Sequence, residues 1–195
     1  MVKGILASVS LIALVKLGKE ALEYASNIEE VQNVVDVSFG DMAEEVNQFA
    51  KTSAASFGMS ELMAKKTAST FMAMSNGMGV ARQAGKTMSL QLTALSGDMA
   101  SFYNVSQEIA DTALKSVFTG ETESLKKFGI VLTEANLKAY ALSQGIKKQY
   151  SEMSQAEKVA LRYNYVMQAT ANAQGDFART SNSWANQIRI LKLNF

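Results

Sequence analysis

Apolar residues recur along this chain at the three-to-four-residue interval of an amphipathic helix, in one short segment after another. The first such segment runs from about Ile5 to Tyr24. A second opens at Ser26, where Ser26-Asn27-Ile28-Glu29 has capping-box spacing, and closes near Phe39-Gly40. Asp41 is placed to cap a third, with Met42, Val46, Phe49 and Ala50 along one face and a stop at Gly58. Ser60 starts a fourth, through Leu62, Met63, Phe71 and Met74, that stops at Asn76-Gly77. The stretch from Val80 to Asn104 reads as helix interrupted at Gly85 and Gly97.

Ser106 begins a helix to Phe118 that ends at Gly120, and a short one follows from Thr122 to Phe128. Ile130-Val131-Leu132 is the only strand-like run, and three residues make no sheet. Thr133 caps the next helix, which ends at Gln144-Gly145. Ser154-Gln155-Ala156-Glu157 is a second capping box, opening a helix with Val159, Ala160, Tyr163, Val166, Met167 and Thr170 on one side. Gly175 closes it, and Asp176 is placed to cap the last helix. There Phe177, Trp184, Ile188, Leu191 and Phe195 fall at +7, +4, +3 and +4, a single apolar stripe with no stop signal after it. These five residues form the candidate packing or self-association face. The pattern predicts an all-α array of about seven to nine helices with no significant sheet. Residues 1–25 read as an N-terminal apolar helix and residues 26–195 as the main helical region, cut at its C-terminal end.

The N-terminal run Gly4 to Val15 is uncharged, lies between Lys3 and Lys16, and at twelve residues is too short to span a bilayer. It has the length of a signal-peptide core, but Lys16 and Lys19 follow it without a clean cleavage site. A buried or partner-facing helix is the favoured reading.

Composition narrows the chemistry. The 195 residues include no Pro, no Cys and no His. About ten prolines would be ordinary at this length, and their absence suits uninterrupted helices. Without Cys or His the chain has no thiolate nucleophile, no histidine base and none of the usual structural zinc ligands. A net charge of +1 gives no general pull toward nucleic acid or anionic membrane.

Individual motifs carry little. Gly79 to Thr87 ends in Gly-Lys-Thr as a phosphate-binding loop does, but Val80 stands where that loop needs a small residue, Gly79 falls one position too early, and a helix rather than a strand precedes it. The carboxylate neighbours Glu29-Glu30, Glu44-Glu45 and Glu121 with Glu123 diverge on helix surfaces instead of facing across a cleft. The pairs Lys65-Lys66, Lys126-Lys127 and Lys147-Lys148 form no basic stripe. Seven of the 11 methionines lie between Met59 and Met99 and read as core filling between short helices. Gly-Asp-Met-Ala occurs at Gly40 and again at Gly97, read in both places as a helix stop followed by a cap. No catalytic residue, cofactor site or metal site is assigned.

Three longer stretches carry a resemblance: ALEYASNIEEVQNVVDVSFGDMAEEVNQFAK from Ala21 to Lys51, LSGDMASFYNVSQEIADTALKSVFTGETESLKKFGI from Leu95 to Ile130 running on through LTEANLKAYALSQ, and YNYVMQATANAQGDFARTSNSWANQIRILK from Tyr163 to Lys192. Together they resemble the helical region of tape measure proteins of long-tailed bacteriophages and prophages, over about Ala21 to Phe195. The resemblance implies a structural virion protein lying in the tail-tube lumen after synthesis in the bacterial cytoplasm. Its partners would be the tail tube protein, tail assembly chaperones and further copies of itself, with DNA only as a neighbour in the tube. It would scaffold tube polymerisation and help set tail length, without a small-molecule substrate or catalysis. As one helix the chain would reach roughly 290 Å, yet its glycine stops predict a folded module joined to a ruler. Family members are usually far longer, so a fragment is expected. The alternative is a membrane-active helical protein that inserts its N-terminal helix during genome delivery.

Overall fold

The computed structural model describes residues 26–193. Among these the fold is all-α, with no strand. The predicted helix upstream of Ser26, its apolar run, and Phe195 lie outside the described residues.

Helix α1 covers residues 26–39, and a 3-10 turn at Gly40–Met42 leads into α2, Ala43–Phe57. Then come α3, Glu61–Gly77; α4, Arg82–Phe102; α5, Gln107–Leu114; and the single turns α6, Ser116–Thr119, and α7, Glu123–Lys126. Helix α8, Glu134–Ser143, is joined through a 3-10 turn at Tyr150–Glu152 to α9, Gln155–Ala169. The described chain ends with α10, Asp176–Thr180, and α11, Trp184–Leu193. Eight of these helices have eight or more residues, within the predicted number. None is long and apolar enough to cross a membrane.

Local signals set several boundaries as read. The Ser60 hydroxyl accepts from the Met63 amide at 3.2 Å and opens α3. Thr133 does the same for α8 through Asn136. Ser154 and Glu157 form the full capping box of α9, the Glu157 carboxylate accepting from the Ser154 amide at 2.7 Å. Glu157 also pairs with Lys148, and these contacts, the lysine first, hold its carboxyl down at about 2. Gly58 takes a left-handed conformation, φ 63°, and stops α2.

Helix α4 is the hub, packed against α3, α5, α10 and α2. Its expected interruptions do not occur: Gly85 and Gly97 are interior residues of one 21-residue helix. Both are buried, and both stand where neighbouring helices come too close for a side chain. A Cβ at Gly97 would lie 2.5 Å from the Phe57 carbonyl oxygen, and one at Gly85 would lie 2.6 Å from the Ser75 hydroxyl. The buried Ser89 and Thr93 hydroxyls return to carbonyls of the same helix, whereas the buried hydroxyls of Ser69 and Ser75 on α3 have no hydrogen-bond partner.

The largest apolar cluster runs from Phe71, Leu92 and Met99 through Leu114, Phe118 and Leu125 to Val159 and Val166. A second joins Val35 and Phe39 of α1 to Met42, Val46, Ala68 and Met72. Met59, Met72, Met88 and Met99 are core residues and Met63, Met74 and Met78 are partly buried, in keeping with core filling. Ile130 and Leu132 are buried while Val131 is exposed, but this apolar run pairs with no strand among the described residues.

Other readings are corrected by tertiary context. Asp41 lies in the 3-10 turn and does not cap α2, whose first turn has no side-chain cap. The helix read from Ser106 to Phe118 breaks at Lys115. Helix α9 ends at Ala169, not at Gly175. The Gly-Lys-Thr segment is part of α4, where Lys86 is buried and pairs with Glu45 at 2.5 Å, leaving no phosphate cradle.

Candidate functional site

The predicted stripe from Phe177 to Phe195 does not lie on one helix. Residues 181–183 separate α10 from α11, and the face is divided as a result. Phe177 is fully buried, its ring filling the space that a side chain at Gly58 would occupy. Ile188 is half-buried, whereas Trp184 is 81% exposed and Leu191 is 57% exposed. Among the described residues the exposed part of the predicted stripe is therefore Trp184 and Leu191, with Ile188 at its edge.

A set of hydrogen bonds fixes this arrangement. The start of α10 is capped by a residue from another helix: the Asp98 carboxylate of α4 accepts from the Gly175 amide at 2.7 Å and the Phe177 amide at 3.1 Å. Asp176, the expected cap, is instead the first residue of α10 and accepts from the Ser101 hydroxyl at 2.7 Å. Burial raises the Asp98 carboxyl above its ordinary range, against the lowering effect of the two amides. The second Gly-Asp-Met-Ala thus departs from the local reading, since Gly97 stops nothing and Asp98 caps a helix remote in sequence, whereas at the first, Gly40 takes a left-handed conformation, φ 59°, where α1 ends and only the Asp41 cap fails.

Asn186 makes the second tie. It is 3% exposed, and its amide donates to the Ser101 hydroxyl at 2.9 Å, the Thr180 hydroxyl at 2.9 Å and the Thr180 carbonyl at 3.2 Å. Arg189, one turn on, donates to the carbonyls of Ala100 at 2.9 Å and Val105 at 3.2 Å. At about 100° per residue, Asn186 lies nearly opposite Trp184 and Leu191 on the helix. Anchoring its polar side on α4 turns the apolar stripe outward. An amphipathic helix ordinarily buries its apolar stripe, and α11 does the reverse.

Beside this face lies a groove of about 490 Å³, bounded by the Gly58 turn and start of α3, the α4–α5 connection, and α11. Met59, Met63, Val105, Ile188 and Leu193 supply apolar wall, and Glu108 and Lys192 are polar members. Asn104 takes a left-handed conformation, φ 50°, at the bend between α4 and α5.

Other buried polar groups act within the fold. The Asp111 carboxylate accepts from Thr67 at 2.9 Å and from Ser96 and Gln107; burial raises its carboxyl above the usual range. Arg162 donates to the Val117 and Phe118 carbonyls, each at 2.7 Å, and closes the end of α6. Glu121 accepts from Ser124 and from the Glu123 amide at the start of α7, which holds its carboxyl down at about 2. Among the described residues no three Asp or Glu side chains gather where they could hold a metal ion.

The sequence reading took Asp98 for a local cap and passed over Asn186 and Arg189. The signal available was an ionisable or amide residue set among apolar and small neighbours, as in Gly-Asp-Met-Ala and Asn-Gln-Ile-Arg-Ile-Leu. Comparison with known proteins returns no match, whether to a family model, a curated protein or a solved structure.

Proposed function

We propose that this chain is a helical module of a phage tail tape measure protein that works by packing and performs no catalysis. The observation that carries a packing role is the outward stripe of Trp184 and Leu191, set by the Asn186 and Arg189 anchors on the opposite side of α11. Exposed large apolar side chains on an otherwise anchored helix mark a contact surface. The resemblance from Ala21 to Phe195 supplies the identity of the contacts: tail tube protein, assembly chaperones, or further copies of the chain within the tail tube. In that setting the module scaffolds tube polymerisation and contributes to tail length.

Two measurements test the reading. Size-exclusion chromatography with light scattering should give an assembly that Trp184→Ala weakens; a clean monomer unchanged by the substitution counts against self-association. In a phage or prophage carrying this reading frame, in-frame deletion should abolish tails or alter their length in electron micrographs. Intact tails of unchanged length would sink the tape measure role. The apolar run Gly4 to Val15 supports the membrane-active alternative. That reading requires the chain to release dye from liposomes and to lose this activity when residues 1–19 are removed.

A further inference from the structure

The groove beside α11 lies close to the point where the N-terminal segment joins the described fold. Helices α1 and α3 run side by side in the same direction: Ile28 sits with Glu61, Leu62 and Lys65, while Val35 and Phe39 share a cluster with Ala68 and Met72. The start of α1 therefore lies at the start of α3. The same first turn of α3 forms one wall of the groove through Ser60 and Met63, on the side of the helix opposite Glu61, Leu62 and Lys65. The chain preceding residue 26 thus enters the fold within about one helix width, roughly 10 Å, of the groove.

That upstream chain contains the one long uncharged apolar run among the first 25 residues, Gly4 to Val15. Residues 16–27 connect the run to Ile28 and could span up to about 40 Å when extended, several times the distance required. The groove offers Met59, Met63, Val105, Ile188 and Leu193, a methionine- and aliphatic-lined surface of the kind that accepts an apolar helix edge. Its 490 Å³ suits a few side chains rather than a whole helix. Ile5, Val9 and Ile12 stand at the +4 and +3 spacing by which such an edge is read.

We infer that the groove between the start of α3, the α4–α5 connection and α11 is the intramolecular docking site of the chain's own N-terminal apolar run. Docking would cover the run's apolar side chains and the groove walls together, removing both from water. It is an apolar contact, so it should persist at high salt, where surface charge pairs weaken.

The absence of cysteine makes the test direct. In the full chain, Val9→Cys combined with Ile188→Cys introduces the only two thiols, and oxidation should yield a cross-linked monomer on a non-reducing gel in both low and high salt. Val9→Cys with Lys138→Cys, a pair whose second member is exposed on α8, should not cross-link within the chain. Cross-linked dimers in place of monomers would assign the groove to a second copy and overturn the proposal, as would no cross-link at all. A second readout avoids altering the groove: Ile12→Asp should speed amide exchange at residues 58–63 and 104–108 and leave the α8–α9 pair unchanged. Equal exchange in both proteins would also overturn the proposal.

Discussion

Gly97→Ala isolates the packing that sequence reading misjudged. Within a helix interior, alanine is favoured over glycine by about 1 kcal/mol, so local reasoning predicts a more stable protein. The tertiary structure predicts the reverse. The added Cβ would lie 2.5 Å from the Phe57 carbonyl oxygen and 2.8 Å from the Phe57 Cβ, whereas carbon contacts ordinarily sit near 3.5–4.0 Å. These obstructing atoms belong to the end of α2 and cannot rotate away, so α4 must retreat by about 1 Å along a tightly packed face. Overpacking of this kind costs about 1–3 kcal/mol, which cancels or exceeds the propensity gain.

Gly77→Ala provides the comparison. That glycine ends α3, has no positive φ, and has nothing within 4 Å of a Cβ placed there. Its replacement should stabilise by about 0.4–1 kcal/mol through the unfolded chain alone. The two variants should therefore differ by about 1–3 kcal/mol in urea unfolding followed by far-ultraviolet circular dichroism, with Gly97→Ala the weaker. For a chain of this size each kcal/mol corresponds to about 2–4 °C in Tm. If Gly97→Ala proves as stable as Gly77→Ala, the close approach of α2 and α4 is wrong, and with it the account of why α4 carries glycine.

Two further outcomes follow from buried polar groups. Arg162→Met should destabilise by about 2–4 kcal/mol in the same assay, because the Val117 and Phe118 carbonyls lose their buried donors; Arg162→Lys should recover only part, a single ammonium being unable to serve as the guanidinium fork does. For Asp111, burial raises the folded carboxyl above its ordinary 3.8, so the folded state holds the proton more tightly than the unfolded one. Its contribution to stability therefore falls as pH rises from the unfolded value through the raised folded one. Urea unfolding of Asp111→Asn across acidic to neutral pH should lack that decline, and an identical pH profile in both proteins would remove the assignment.

Much of the array was legible in the sequence because helix ends are local events. A serine or threonine caps through an amide three residues on, and Ser60, Thr133 and Ser154 needed nothing else to start α3, α8 and α9. Gly58 and Gly120 stop helices through their own backbone conformation. The apolar spacing likewise determined the all-α class and most of the core.

The candidate site was legible only as a list of apolar positions. Phe177, Trp184, Ile188 and Leu191 share a helical period, but their fates depend on contacts remote in sequence. Phe177 fills space left by Gly58, and α11 is oriented by Ser101, Ala100 and Val105 through Asn186 and Arg189. Nothing within a few residues of Asp98 shows that it caps α10, because the amides it satisfies lie at Gly175 and Phe177. The sequence by itself determined the helices and the bulk of the core, since propensity, caps and periodicity act over one or two turns. Only the tertiary structure decided which glycines stop a helix and which admit a neighbour, and which way α11 faces. Those outcomes depend on steric and hydrogen-bonding partners brought together across roughly 10 to 90 residues of chain, beyond the one or two turns that a local pattern covers.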